Sequence, residues 1–183
     1  MPGGRPEQPP AVADFRILEA NASDPRDRPE ANQRAAEAAG IVKRLVDEYY
    51  ATAFVDPSRW ADGRHEPIAA LFTGEARPHV APNLGGLALA DLAPRLERVS
   101  PTRQEAKIRF LAEDDLSLPI GVVATAFEAD GTTRERAEGP VKIVHHATFW
   151  LVREPDGYRI SAFQAELRAD TATQAAAFGG GGG

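Results

Sequence analysis

The sequence predicts an α+β fold: a long N-terminal helix plus short helices packed on a curved, mainly antiparallel sheet. Apolar residues recur at three- and four-residue steps from Pro29 to Val55, and β-rich, alternating segments fill Gln104 to Arg168. Between two of those segments lies Pro155-Asp156-Gly157, a strong turn that makes its flanking strands antiparallel.

In chain order, residues 1–24 form an expected flexible arm, rich in glycine and proline at its start. Within it Phe15, Ile17 and Leu18 make a short apolar patch, a candidate edge strand or clip onto the body. The domain proper is expected over 25–170 and a flexible Gly-rich tail over 171–183. Pro29 suits a first helical turn, and Asp27 and Glu30 place negative charge near the positive end of the helix. The stripe Ala31, Ala35, Ala38, Val42, Leu45, Tyr49 and Ala53, widened by Ile41, Val46, Tyr50 and Phe54, is broad enough to pack on a sheet. Proline at 57 ends the helix before Asp56, because the residue before proline avoids helical geometry.

Short helices are expected after Pro67 and after Thr73, with a further turn near Leu87 to Leu92. That glycine- and proline-rich stretch is a candidate lid or rim. Strands follow at Ala106–Phe110, Ile120–Phe127, Val141–Val152 and Tyr158–Leu167. Asp130-Gly131 is expected to open a longer charged connection between the second and third of them.

Composition excludes several classes. The net charge of -6 gives no basic footprint for nucleic acid. No apolar run is long enough to span a bilayer as a helix. The absence of cysteine removes disulfides, thiolate metal sites and cysteine nucleophiles. Compartment stays open on the sequence: soluble as written, either cytoplasmic or an extracytoplasmic fragment.

Tyr49-Tyr50 late in the first helix, Leu71-Phe72-Thr73 in the next helical region, and the closing strands Val144–Val152 and Tyr158–Glu166 resemble the nuclear transport factor 2-like superfamily. This group includes ketosteroid isomerases and polyketide cyclases. The resemblance covers about residues 29–168 and implies a cone with a pocket at its open end. It transfers no activity, since the superfamily contains enzymes, ligand binders and interaction domains. The isomerases' general-base aspartate and oxyanion donors find no residue-by-residue match in this sequence.

Pocket candidates are Asp47, Tyr49, Tyr50, Asp115, His145 and His146. A carboxylate and a phenol near the end of the helix suit polarisation of a carbonyl. The bland alternative has both tyrosine rings packed on the sheet with hydroxyls outward, Asp47 solvated and Asp114-Asp115 marking a turn. His145 and His146 are adjacent on a strand, so their side chains face opposite sides and cannot converge on one metal or proton. His65 and His79 have no recognised metal spacing, and Trp60 and Trp150 are expected in core or interface. No metal or cofactor is expected. The expected function is a non-catalytic ligand-binding or protein-interaction domain, soluble or tethered, with a possible small apolar ligand and a homodimer through the open sheet face. The alternative is a small-molecule isomerase, lyase or cyclase.

Overall fold

The computed structural model describes residues 12–56, 65–135 and 139–171. Five strands form one sheet in the order β1-β2-β3-β4-β5: Arg16–Ser23, Leu96–Leu111, Ile120–Thr133, Val141–Glu154 and Gly157–Thr171. Helix α1 spans Pro29–Tyr50, and the one-turn helices α2 (Glu66–Ala69) and α3 (Leu84–Leu87) follow. The predicted α+β class, with a long helix against a curved and mostly antiparallel sheet, is what the chain forms. Trp60, Pro57, the extreme N-terminal residues and the Gly-rich tail lie outside the described residues.

The largest correction concerns the N-terminus. The segment assigned to a flexible arm, whose apolar patch was also a candidate edge strand, contributes the edge strand β1, which pairs in parallel with β2 from Arg16↔Glu105 to Ser23↔Leu111. Parallel neighbours need a long crossover, and α1 with the following loops supplies it. Burial drives the attachment: Ala13 and Phe15 are core residues, and the Phe15 ring lies 4.5 Å from that of Tyr50. The ordered body therefore starts well before residue 25.

Pro29 occupies the first turn of α1, whose entry is fixed by the Asp24 side chain instead of a capping side chain at Arg28. Asp24 accepts the Arg28 backbone N–H and its guanidinium, and Arg28 reaches on to the Asp114 and Glu113 carbonyls. This single arginine ties the β1–α1 junction to the β2–β3 loop. The apolar stripe packs as expected, burying Ala31, Ala35, Val42, Leu45 and Tyr49. Past Tyr50 the helix widens into a π-type turn, Ala51–Val55, closed by Asp56 N–H on the Ala51 carbonyl at 3.3 Å. Thr52, Ala53, Phe54 and Val55 are all buried there, so the turn sits inside the body.

β2 begins at Leu96, earlier than alternation suggested, and carries Pro101 at a register shift, where a missing N–H is tolerated. Asp130-Gly131 does not start a connection. It continues β3, with Gly131 paired to Val99 and Val141, and since a Cβ there would sit 2.9 Å from Leu96 Cδ2 and 3.3 Å from Ile143 Cδ1, glycine is there for packing. The turn at Pro155-Asp156-Gly157 forms as predicted, with Gly157 at φ 144°, where side-chain-bearing residues are strained. Helix α1 and the loops cover one face of the sheet, and among the described residues nothing covers the other.

Candidate functional site

Strand alternation places His145 and His146 as the sequence requires. His145 is 0% exposed on the covered face with Ile143, Ala147 and Phe149, and His146 is exposed on the open face. The tyrosine hydroxyls differ from expectation: both rings are buried and both hydroxyls point inward. The Tyr50 hydroxyl lies 2.7 Å from His145 Nδ1 and 2.7 Å from Thr125 Oγ1, and His145 Nε2 lies 3.1 Å from the Gly86 carbonyl.

The proton order follows from the one group that can only accept. Because Gly86 offers a carbonyl, Nε2 carries the hydrogen, which leaves Nδ1 bare to accept from Tyr50. The Tyr50 oxygen in turn accepts from Thr125, whose hydroxyl has the Ala147 carbonyl at 3.3 Å as an alternative. Every polar atom of this chain is thereby satisfied with a neutral imidazole. Burial lowers the His145 pKa to about 4, the Gly86 contact opposing it and the nearby His146 adding slightly. Burial likewise pushes both tyrosines far above their ordinary range.

Aromatic rings fill the space around this chain. Phe54 lies 4.5 Å from the His145 ring, Phe127 5.0 Å from Tyr50, and Phe149 4.8 Å from Tyr49. The Tyr49 hydroxyl donates to the Leu87 carbonyl. Tyr49 and His145 thus hold consecutive carbonyls of α3, and α3 closes this end of the body.

The other candidates do not join the tyrosines. Asp47 accepts the Phe15 backbone N–H at 2.8 Å and pairs with Lys43 at 2.6 Å, so it anchors the N-terminal segment. Asp115 accepts the Ser117 N–H at 2.9 Å, and Ser117 holds its carboxyl below the ordinary range. It lines an open cleft of about 500 Å³ between α1 and the β2–β3 loop, together with Arg34, Glu37, Leu116 and Arg153. Leu116 there has φ 65°, a conformation held by the surrounding loop hydrogen bonds. His146 lines a shallow depression of about 360 Å³ on the open face. His65 is half-buried and His79 exposed, and among the described residues no group of three His, Asp or Glu side chains is placed to hold a metal.

Sequence reasoning missed Thr125. Its inward parity with Val123 and Phe127 was a usable signal, but nothing local pairs it with residue 50. The Gly86 and Leu87 carbonyls carried no signal at all, since backbone acceptors have no letter. No protein-family model matches the chain, and no curated protein matches it in sequence. The geometry itself defines a class: an α+β domain with a curved sheet, an aromatic interior and one sheet face that no described residue covers. No helix among the described residues is long and apolar enough to cross a membrane.

Proposed function

We propose that this chain is a non-catalytic protein-interaction domain that pairs with a second copy of itself through the open sheet face. The observation that carries the reading is the in-register row Leu111↔Ile120↔Val152, with Trp150 in the next row, all on the uncovered face and 37–46% exposed. Three strands expose large apolar side chains side by side, a patch that marks interaction surfaces. Farther along, the same face is closed by its own ion pairs, Arg103–Glu128, Lys142–Asp130 and Arg168–Glu166.

A second copy suits this face because knob and hole lie side by side on it. Trp150 projects two residues from Thr148, which with Ala124, His146, Gln164 and Glu166 lines the 360 Å³ depression. A two-fold axis between them seats each indole in the partner's depression, with Gln164 and Glu166 as acceptors for its N–H. Four strands of 14–16 residues at about 4.8 Å spacing and about 3.3 Å per residue present a face of roughly 900 Å² with its ion-paired end included. A standard interface needs about 800 Å² per partner.

Sedimentation velocity from low to high micromolar concentration tests the reading. A concentration-dependent dimer that Trp150→Asp and Val152→Lys convert to monomer supports it. A monomer throughout for the unaltered chain sinks it.

The 2.7 Å contact between Tyr50 and His145 favours a second reading, a small-molecule isomerase, lyase or cyclase with these two as acid and base groups. That reading requires α3 to leave its seat, since both groups are wholly buried beneath it.

A further inference from the structure

The seat of α3 has the chemistry of a peptide site. Two fully buried donors, the Tyr49 hydroxyl at the end of α1 and His145 Nε2 in the middle of β4, end on the carbonyls of Leu87 and Gly86, two consecutive residues. Between these contacts and the core, Leu87 is fully buried. Beside α3 runs β5, the last strand of the sheet; Leu71–Thr73 bonds to it at Ile160, and farther along α3 lies next to it. A Cβ at Gly86 would lie 4.0 Å from the Ala165 carbonyl, so the segment approaches the edge with room to spare.

The segment in that seat is lightly built. α3 is one turn of Leu-Gly-Gly-Leu without a side-chain cap, and glycine is among the poorest helix formers. A depression of about 250 Å³ opens between residues 82–87 and Phe163 and Ala165 of β5, giving an approach from solvent.

We infer that this seat is a binding site for a short peptide turn carrying a large aliphatic residue, occupied in this structure by the chain's own Gly86-Leu87. The inference does not rest on the self-pairing proposed above. Two buried donors spaced for the consecutive carbonyls of one turn, with a buried aliphatic position beside them, are together features that a peptide turn satisfies at once. An incoming peptide exchanges carbonyl for carbonyl, so neither donor is orphaned. An apolar molecule without acceptors leaves both unpaired, which weakens binding by about tenfold or more for each.

The test uses a fluorescein-labelled, amidated peptide of residues 82–88, Pro-Asn-Leu-Gly-Gly-Leu-Ala, titrated by anisotropy onto the full chain. In Leu87→Ala the chain's own occupant is truncated, and that variant should bind the peptide at least tenfold more tightly than the unaltered chain. Tyr49→Phe in the same background should then weaken binding by about tenfold. A peptide with aspartate at its second leucine should not bind, and Trp150→Asp should leave binding unchanged. Absence of binding to both the unaltered chain and a cooperatively melting Leu87→Ala overturns the inference, as does equal binding of the aspartate peptide. Hydrogen exchange on the unaltered chain gives a readout independent of Leu87→Ala folding. The Leu89 amide, bonded to the Ala53 carbonyl at 3.2 Å, should exchange well before the amides of β3 and β4. Exchange of Leu89 only through global unfolding overturns the inference.

Discussion

The Tyr50 hydroxyl meets His145 Nδ1 at 2.7 Å across 95 positions of sequence, joining the end of the helix to the middle of β4. With Thr125 on β3 and Gly86 on α3, that contact links four separate elements through one line of protons. A satisfied line of this kind rigidifies a core, and an interrupted one leaves a costly orphan.

Acid should weaken the fold through His145. Its pKa is about 4 when folded and near 6.5 when unfolded, so the unfolded chain binds the proton first as pH falls. Stability is complete above pH 6.5 and declines between 6.5 and about 4, by roughly 3 kcal/mol in all, of which about 2 kcal/mol is gone at pH 5. Urea midpoints at pH 7.5, 6 and 5 for the unaltered chain and His145→Gln check this. The variant should show a markedly flatter decline, and parallel slopes would contradict the assignment.

Tyr50→Phe removes the donor to Nδ1 and leaves a buried acceptor bare, at a cost of about 1–3 kcal/mol. Combined with Thr125→Val, the double-mutant cycle should give a coupling of about 0.5–3 kcal/mol. Chemical denaturation of the four proteins measures it, and simple additivity would show that the hydroxyls act separately.

Two glycines should respond with opposite sign. Gly131→Ala drives a methyl into Leu96 and Ile143, both buried, and should cost about 1–3 kcal/mol. Gly40→Ala meets nothing within 4 Å on the exposed side of α1 and should stabilise by up to about 1 kcal/mol. Thermal melts of the two variants decide.

Phe15→Ala should cost about 3–5 kcal/mol, the range of a fully buried aromatic in a core. A loss below about 1 kcal/mol would mean that the N-terminal segment is only lightly attached.

Much of the layout was legible in the residues. The amphipathic stripe located α1 because an α-helix one face of which meets a sheet needs that spacing. The parity of His145 and His146 separated them correctly, since a strand offers only two faces. Where the sequence misled, a local signal had a nonlocal cause. Asp130-Gly131 has the letters of a turn, yet its glycine answers to Leu96 and Ile143 on neighbouring strands. The segment around Phe15 was legible as an edge strand or a clip but not decided between them, since it has too few residues to show a period and its partner β2 lies some ninety positions away.

By itself, then, the sequence determined the type and order of α1 and of the four strands β2 to β5, and the side of the sheet on which their residues stand, because these depend on neighbours within one helical turn or one pleat. Only the tertiary structure decided that β1 completes the sheet, that Tyr50, Thr125 and His145 share one buried line of hydrogen bonds, and that α3 is seated over it. Those relations depend on distances between residues far apart in the chain, and on backbone carbonyls such as those of Gly86 and Leu87, whose position no side-chain pattern encodes.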